Sequence, residues 1–377
     1  MLHKCCDVVN ESSLIWSAVA WRVVFFALSL AALISPISAQ IPAASPATSV
    51  ASTNDVTTAE KLKRWFEVDT LVFSTRYRHV TTNVGPISAD QLQFQFQAKA
   101  HFKFDPKGKY SVYGAVSTGN VINSGWGSTG IGTGGPQTDI FLKQLYVDAR
   151  PVKGVEIQVG GIAPNNGENT EVTGYDNDAY LMGQRVSIKI PKKLYFDVIS
   201  IANGYFGDFT EPNVLNRFKH FNRSNYHQIL VGKKIGKNVS FTADYTFEAG
   251  RDTFRQAVKF SIPKFRVFDV MRFENYQRVD PEHEYGFGIY GEKSFYKKLT
   301  LSTGFSRIDT SMINGDRYLR GNRLYAGWNL KLSREFSFSG IWLQALGPLP
   351  LAASPRTRVD AVFTFNILET FRRFDLL

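Results

Sequence analysis

Residues 92–104, with the sequence LQFQFQAKAHFKF, alternate strictly between apolar and polar side chains. Leu, Phe and Ala fill the even positions, and Gln, Lys and His fill the odd positions between them. Because successive side chains of a β-strand point to opposite faces, the stretch predicts a strand with one apolar and one polar surface. Its thirteen residues exceed the usual length of globular strands and suffice to cross a membrane at a tilt.

The same period of two recurs along most of the chain after residue 66. Four later segments show it most clearly: 239–248, 254–262, 323–333 and 358–367. In two others, 141–149 and 267–276, charged residues fall on both parities. An extra residue in a strand shifts its side chains to the other face, so we expect β-bulges or shifted registers in these two segments.

Sixteen strands are predicted in all, joined by connections that alternate between short and long. The strands are 66–79, 89–104, 109–119, 139–149, 155–163, 178–190, 194–202, 224–235, 238–249, 253–262, 265–276, 283–295, 299–309, 317–332, 336–346 and 356–367. Tight-turn residues fill the short connections, such as 105–108 and 236–237, whereas 120–138, 164–177 and 203–223 are long. This predicts an all-β fold, a transmembrane antiparallel up-and-down β-barrel of about 16 strands (14–18), with both termini on the short-turn side.

Composition and charge agree with such a barrel. The 377 residues carry a formal net charge of +11, 14% aromatic residues and a mean hydropathy of −0.17, so apolar side chains are abundant but diluted by polar ones. The basic residues are scattered and form no tract, which argues against nucleic acid as a partner. The positive net charge favours anionic lipids or solutes. The only cysteines, Cys5 and Cys6, precede the first apolar run, so the rest of the chain has no thiol for a disulfide, a metal site or a nucleophile.

Residues 1–39 have the organisation of a secretory signal peptide. Arg22 precedes an apolar run at 23–34, and Ala39 precedes the expected cleavage point. The run is shorter than the roughly 20 residues that a membrane-spanning helix needs, and a membrane anchor that includes Arg22 is the alternative. The predicted regions are a signal peptide (1–39), a disordered periplasmic linker with room for a short helix (40–64) and an outer-membrane β-barrel (65–377).

An export signal, a mature chain without cysteine, about sixteen amphipathic strands and alternating loop lengths together resemble the bacterial outer-membrane porins. The stretch from Gly160-Gly161-Ile162-Ala163-Pro164 through Gly167-Glu168-Asn169-Thr170-Glu171 to Gly183-Gln184-Arg185-Val186 also resembles porin and alginate-export-like barrels. The resemblance implies a diffusion channel, often trimeric, with selectivity set by an inward-folded loop and with no cofactor. The chain departs from porins at its end, Phe374-Asp375-Leu376-Leu377, where porins usually finish on an aromatic residue inside the last strand.

The polar faces of the strands would line an aqueous channel, because a closed sheet of about sixteen strands is too wide to be filled by side chains alone. The charged and polar residues expected in this lumen are Lys99, His101, Lys103, Arg185, Lys189, Asp244, Glu248, Arg255, Lys259, Arg323, Lys331 and Arg358. Their balance is mildly positive, and rings of Lys or Arg favour anions. The alternative is a network of ion pairs across the barrel that only holds the shape of its wall.

The acidic loop at 164–178 is the candidate constriction. Its carboxylates are Glu168, Glu171, Asp176 and Asp178. Folded inward, they would oppose basic wall residues and create a transverse electric field. Oxygen ligands of this kind also suit a hard cation, although the spacing is not that of an EF-hand. A solvated surface loop is the third interpretation.

The loop at 203–223 combines Arg217, Lys219 and Arg223 with several phenylalanines. Basic and aromatic side chains together would guide an anionic saccharide toward the lumen. The alternative is a surface loop that contacts lipopolysaccharide or a neighbouring loop.

We therefore expect a passive outer-membrane porin for small polar or anionic solutes, saccharides among them. Its partners would be outer-membrane lipid, lipopolysaccharide, the solutes and, by the resemblance, two further copies in a homotrimer. We expect no catalytic activity, no cofactor or metal, and no nucleic-acid partner. Two alternatives are an outer-membrane enzyme such as a lipase, for which the chain has no Gly-x-Ser-x-Gly elbow, and a soluble periplasmic β-sheet binding protein.

Overall fold

The computed structural model describes residues 64–82, 89–122, 124–132, 135–170, 181–189, 195–248, 250–262, 266–280, 282–309, 319–348 and 354–374. All of them belong to one compact unit, Arg64–Leu377. The predicted signal peptide and almost all of the predicted linker lie outside the described residues and stay predictions.

Within the described ranges, sixteen long strands follow one another, together with one strand of two residues and three short helical segments. The strands are β1 (Phe66–Thr82), β2 (Ala89–Lys103), β3 (Tyr110–Thr118), β4 (Gly127–Ser128), β5 (Ile140–Ala149), β6 (Val155–Ile162), β7 (Leu181–Ile188), β8 (Val198–Tyr205), β9 (Tyr226–Ile235), β10 (Val239–Glu248), β11 (Arg251–Ser261), β12 (Val270–Arg278), β13 (Glu284–Phe295), β14 (Leu299–Ile308), β15 (Gly321–Lys331), β16 (Phe336–Ala345) and β17 (Pro355–Asn366). The helices are α1 (Val214–Arg217) and α2 (Ile367–Arg373), with a 3-10 helix at Phe218–His220. The predicted fold class is confirmed.

The sheet closes into a barrel. Each long strand pairs antiparallel with its neighbours in the chain, and β17 pairs with β1. The closing pair is regular from Val72 opposite Asn366 to Thr81 opposite Thr357. Closure pairs the backbone groups that a sheet edge would leave open, which is the condition for crossing lipid as a sheet. The register of β17 is therefore set even though the chain continues into α2, which packs against β1.

Short turns join the strands at one end of the barrel and mostly longer loops join them at the other. The turns at the first end include 104–109, 150–154, 236–238, 296–298 and 332–335. At the other end, the connection from β3 to β5 spans 119–139 and the loop from β8 to β9 spans 206–225, whereas β10 and β11 are joined by only two residues. The barrel begins and ends at the short-turn end, as the even strand number predicts.

A β-bulge interrupts the pairing of β3 with β5. The register shifts between Ala115 and Val116, where Lys143 is the additional residue of β5. The irregularity predicted for 141–149 is thereby confirmed. A second shift, between Val68 and Thr70 of β1, was not predicted from the sequence.

The irregularity predicted for 267–276 was wrong. Strand β12 begins at Val270, and its pairings with both neighbours are continuous. Asp269, whose charge suggested a break, lies in the preceding turn, where it accepts a hydrogen bond from the Ser294 N–H at 2.8 Å and from Lys293 Nζ at 2.9 Å. Within β12, the charged residues Arg272, Glu274 and Arg278 share one parity, and only Asp269, outside the strand, has the other.

An apolar belt surrounds the barrel. Its large exposed side chains come from strands all round the sheet and share the outward parity: Phe73, Tyr77, Val147, Val159, Ile201, Ile229, Tyr245, Phe273, Ile289, Leu301, Leu324, Phe338, Trp342 and Phe363. A soluble sheet protein would bury such residues against a second layer, whereas a membrane barrel exposes them to lipid. In the part of the chain that the structure describes, no helix is long and apolar enough to span a membrane.

The inside of the barrel is not uniformly polar. One buried apolar cluster consists of Tyr276, Tyr290, Ile308, Leu319, Tyr325 and Leu343. A second cluster consists of Ile122, Ile162, Leu181, Met182, Ala202, Phe206, Val214 and Tyr226. The second cluster brings two loops together, and the Ile122 N–H donates to the carbonyl of Phe209 at 3.0 Å. Packed side chains therefore fill part of the lumen at its long-loop end.

Candidate functional site

The described part of the connection between β6 and β7, residues 163–170, turns into the barrel and runs along its inner surface. It contacts inward-facing residues of β9, β10, β11 and β12, which lie two to five places beyond β7 in the sheet. Arg185 holds its start, donating from Nη1 to the carbonyl of Ala163 at 2.7 Å. We call 163–170 the inner loop and the inward faces of β9–β12 the loop-bearing wall.

Hydrogen bonds fasten the inner loop to β9 and β10. Gln228 Nε2 donates to the carbonyl of Asn165 at 2.7 Å, and the Glu168 N–H donates to Thr242 Oγ1 at 3.1 Å. Between them, Gly167 has a φ of +59°, and a Cβ added there would lie 2.3 Å from Thr242 Cγ2. Only glycine allows both this backbone conformation and this close approach.

The carboxylate of Glu168 lies among three groups of the loop-bearing wall. Ser240 Oγ donates to it at 2.8 Å, Lys259 Nζ lies at 3.3 Å and Arg272 Nη2 at 3.9 Å. Glu168 is thus the predicted constriction residue that the structure places inside the barrel. The other three, Glu171, Asp176 and Asp178, lie outside the described residues.

Thr170 is tied to Glu274 of β12. The Thr170 N–H donates to Glu274 Oε1 at 3.0 Å, and Thr170 Oγ1 donates to Oε2 at 2.8 Å. The buried Glu274 carboxylate also accepts a hydrogen bond from the Tyr276 hydroxyl and lies 3.9 Å from Arg272 Nε. This is the most distant strand that the inner loop reaches, and sequence reasoning missed it because nothing local links residues 170 and 274.

Arg255 and Asp244 form a fully buried ion pair on the same wall. Arg255 Nη2 lies 2.7 Å from Asp244 Oδ2, and Nε donates to Oδ1 at 2.8 Å, while both side chains are 0% exposed. Removal of one partner would leave the other charge buried without compensation. Glu248 lies half-buried at the loop end of β10. For Asp244 and Arg255, the ion-pair alternative describes the structure better than a solute-contacting role.

Charges on the loop-bearing wall balance where the inner loop covers it. The basic side chains are Arg255, Lys259 and Arg272, and the acidic ones are Asp244, Glu274 and the loop residue Glu168. Three positive groups thus face three negative groups at this place. Little net field is left on this side of the lumen.

Predicted lumen residues near the short-turn end also form pairs. His101 Nδ1 lies 2.9 Å from Asp69, Lys103 Nζ 2.6 Å from Glu67, and Lys189 Nζ 2.7 Å from Glu156. The His101 ring stacks on Tyr113 at 4.6 Å, and Tyr113 stacks on Tyr146 at 5.1 Å. Asp69 is the bulge residue of β1, so the position of this pair follows from a feature that the sequence pattern did not reveal.

The inward faces of β17, β1 and β2 carry more positive than negative charge, and we call them the basic wall. Arg78 donates to Asp360 from Nε and Nη2, each at 2.8 Å, and Arg358 Nε donates to the same carboxylate at 3.0 Å. Arg76 Nη1 lies 3.9 Å from Asp360. Three guanidinium groups therefore surround one carboxylate. Arg76 and Arg78 were missed as site residues, although both share the polar parity of the predicted first strand.

Three more predicted lumen cations, one on the basic wall and two on β15, add to the positive charge of the lumen. Lys99 of β2 and Lys331 of β15 form no ion pair with any residue that the structure describes. Arg323 of β15 donates to the carbonyls of Arg320, at 2.8 Å, and Pro355, and no described carboxylate pairs with it. Their positive charge is thus not neutralised by a described side chain.

Trp126 belongs to the connection between β3 and β5 and lies against the basic wall. The guanidinium carbon of Arg76 is 4.0 Å from the centroid of its ring. Arg76 also donates to Gln93 Oε1 from Nε at 2.8 Å and from Nη2 at 2.5 Å. The following strand β4 pairs with β2, with Ser128 opposite Gln93. This aromatic residue was not among the predicted site residues.

The loop at 206–225 is folded rather than extended. Arg217, predicted to guide solutes, is fully buried and donates from Nη1 to the carbonyl of Asp208 at 2.6 Å. That prediction was wrong for Arg217, because its guanidinium supports the loop from inside. Lys219 and Arg223 are exposed, and their guiding role stays a prediction.

Two aspartates of the short turns have lowered pKa values. The pKa of Asp269 falls below its ordinary value because Lys293 and the Ser294 N–H hydrogen-bond to the carboxylate. The pKa of Asp197 falls for the same reason, through the Lys234 N–H at 2.7 Å and nearby Lys233. Each aspartate fastens a turn to the neighbouring strand.

Comparison with known proteins gives matches to solved structures. No protein-family model matches the chain, and no curated protein matches it. Salmonella typhi OmpF, solved in complex with daunomycin, is similar with a TM-score of 0.54 and 11% identity, covering 80% of this chain and 99% of that one. A mutant of the Rh. blastica porin has a TM-score of 0.52 and 12% identity, covering 80% and 100%. At 11% and 12% identity, these similarities show a shared fold and nothing further.

The closed sixteen-strand sheet, the outward apolar belt and the inner loop define an outer-membrane β-barrel with a porin-like channel fold. Because such a belt is stable only against hydrocarbon, the barrel belongs in a membrane, and its porin-like fold implies the bacterial outer membrane. The alternative of a soluble periplasmic sheet protein does not fit this surface.

Proposed function

We propose that this protein is a passive porin through which small polar or anionic solutes, saccharides among them, diffuse along a water-filled lumen. The observation that carries the proposal is the unequal charge of the two walls. The inner loop covers the balanced loop-bearing wall, so the passage would run beside the basic wall. The electric field beside this wall would come mainly from Arg76, Arg78, Arg358 and Lys99, with Asp360 among them. The other two carboxylates of this wall, Glu67 and Asp69, lie near the short-turn end beside Lys103 and His101.

A passage beside such a wall should prefer anions. Clefts lined by one sign of charge raise the local concentration of the opposite ion, and rings of Lys or Arg are the usual basis of anion-selective pores. The balanced wall opposite would weaken this preference without reversing it. We therefore propose a mild anion selectivity rather than a strict one.

The inner loop would set the width of the passage. Its contacts with four strands support this role, because a segment held at both ends inside a barrel narrows the lumen. Glu168 is neutralised by Lys259 and Arg272. If a transverse field exists, its negative side would come from Glu171, Asp176 and Asp178, which stay predictions.

Conductance in planar lipid bilayers tests the proposal. Purified, folded protein should insert in discrete steps with ohmic current, and a KCl gradient should give a reversal potential that indicates faster chloride passage. Silence from protein whose folding is verified by heat-dependent mobility on a gel would refute a porin. A lipid-hydrolysis assay on the same sample would then examine the enzyme alternative.

The assembly and its surroundings also belong to the proposal. By the porin resemblance, we propose a homotrimer in contact with lipid and lipopolysaccharide, with the exposed Lys219 and Arg223 of the loop at 206–225 near that surface. Chemical cross-linking in detergent should stop at three copies. A single-copy result would refute the trimer and leave the channel proposal intact.

A further inference from the structure

Exposed basic side chains mark the short-turn end of the barrel. Six of the connections at this end each hold an exposed cation that forms no ion pair with any residue that the structure describes: Lys107, Lys153, Lys237, Arg266, Lys297 and Arg334. Two of them hold a second such cation, Lys109 and Lys298. Because these connections follow one another around the closed sheet, their cations form a ring, which we call the basic rim.

The carboxylates of these connections are held by the backbone or by cations outside the rim. Asp105 accepts the backbone N–H groups of two residues that follow it, each at 2.9 Å. Asp269 pairs with Lys293 of β13, and Glu335 lies 3.3 Å from Arg373 of α2. Even with the charge of Asp105 counted, the basic rim keeps a surplus of positive charge at its surface.

The long-loop end mixes both signs among the residues that the structure describes. Its exposed carboxylates include Asp90, Asp139 and Asp280, and its exposed cations include Arg251 and Arg307. Mixed charges produce little net field at a distance, whereas a ring of one sign attracts anions from all sides. The two ends of the barrel therefore suit different surroundings.

Aromatic side chains beside the basic rim indicate its depth in the membrane. Tyr296 and Phe104, which are 97% and 57% exposed, lie one and three residues along the chain from Lys297 and Lys107. Aromatic residues of outer-membrane barrels collect where the apolar belt meets the lipid headgroups. The rim cations therefore lie at the level of the lipid phosphates and not in the aqueous space beyond them.

The turn between β13 and β14 is the clearest case. Its Tyr296 and Lys297 have φ values of +50° and +60°, a conformation for which hairpin turns normally use Asn or Gly. Little of the Tyr296 ring contacts the protein, so the protein itself does not offset the cost of this backbone. Contacts of the ring with headgroups, and of Lys297 and Lys298 with phosphate, would offset it.

We propose that the basic rim binds anionic phospholipids of the periplasmic leaflet, through the phosphate groups of lipids such as phosphatidylglycerol. The short turns of outer-membrane barrels lie on the periplasmic side, and Lys and Arg beside an anionic lipid surface are attracted to it. A lipid layer surrounds the barrel as the rim does, whereas an acidic protein would cover one sector only. The proposal rests on the lipid contact proposed above, which it deepens, and does not depend on conduction.

Quenching of tryptophan fluorescence by brominated lipids tests the proposal, in vesicles of phosphatidylglycerol and phosphatidylcholine with identical acyl chains. A Trp328→Phe/Trp342→Phe background leaves Trp65, which is exposed beside the start of β1, as the reporter at the short-turn end. At low ionic strength, phosphatidylglycerol should bind about fivefold more strongly than phosphatidylcholine.

The rim variant is Lys107→Gln/Lys109→Gln/Arg334→Gln, which removes the three rim cations of the two connections nearest to Trp65. Its preference for phosphatidylglycerol should fall to less than about twofold, because fewer cations attract the phosphate groups. The matched control, Arg251→Gln/Arg307→Gln/Arg356→Gln, removes three exposed cations from the long-loop end and should keep the preference.

The outcomes separate this proposal from the channel function. Equal binding of the two lipids overturns it, even if the protein conducts, and so does an equal loss in the rim variant and the control. If the rim variant fails to fold, the salt response of the background protein decides. Its preference should disappear in 1 M KCl, where the Debye length is about 3 Å, and a preference that persists overturns the proposal. A folded protein that is silent but keeps the preference refutes the porin alone.

Discussion

The loop-bearing wall and the basic wall are built from the same kind of strand, yet their charged side chains are arranged differently. On the first, each of the named charges has an opposite partner, and the Arg255–Asp244 pair is fully buried. On the second, three guanidinium groups surround the carboxylate of Asp360. The comparison indicates that the charges of the loop-bearing wall cancel one another, whereas those of the basic wall leave a surplus of positive charge among the described side chains. Mutations on the two walls should therefore change different measurable properties.

The largest effect should follow from Arg255→Ala. The substitution leaves Asp244 buried without its partner, which typically costs about 3–5 kcal/mol. The free energy of unfolding, measured by urea titration of the liposome-folded barrel with tryptophan fluorescence, should fall accordingly. Lys99→Ala on the basic wall is the matched control and should change it by less than about 0.5 kcal/mol. Equal losses in the two variants would show that the walls do not differ in this way.

Release of the inner loop should have the next largest effect. In Glu274→Gln the Thr170 N–H and hydroxyl lose a charged acceptor, and hydrogen bonds to charged groups contribute roughly 1.5–3 kcal/mol. We expect larger single-channel conductance and noisier open current, since the loop would leave the wall part of the time. Glu292→Gln is the control, because Glu292 also accepts a hydrogen bond from a tyrosine but does not contact the loop. Unchanged current in Glu274→Gln would argue that the inner loop does not set the width.

A charge reversal on the basic wall should alter selectivity and leave stability nearly constant. Lys99→Glu places a carboxylate beside the passage, so the ratio of chloride to potassium permeability, taken from the reversal potential in a KCl gradient, should fall several-fold. Lys107→Glu makes the same change in an exposed short turn and should leave the ratio nearly unaltered. A similar shift in both variants would mean that net charge, and not the wall, decides selectivity.

The smallest effect should be the pH response of the short turns. Because the pKa of Asp269 is lowered in the folded protein, its contribution is complete above the ordinary aspartate pKa of about 3.9 and is lost as pH falls through the lower folded value. Asp269→Asn should therefore flatten the loss of stability in that acidic window, measured by thermal unfolding at several pH values. Asp139→Asn, at an exposed carboxylate before β5, is the control. A variant as steep as wild type would contradict the assignment.

Much of the fold could be predicted because its main signal is local. The alternation in residues 92–104 assigns each side chain to one face without reference to any other strand, and the same holds for 239–248. Errors arose where a boundary or an extra residue shifted the count, as at Asp269 and at the Val68–Thr70 bulge. Arg217 was misassigned for a related reason, since composition shows that a loop is basic but not that it folds around its own arginine.

The amino-acid sequence by itself determined which side chains meet lipid and which face the lumen, because that division depends only on a period of two along each strand. Only the tertiary structure decided which lumen charges are neutralised. Glu168 meets Lys259, and Thr170 meets Glu274, across strands that are distant in the chain. Whether a charge is paired or open depends on the course of a loop through the barrel, and no local pattern encodes that course.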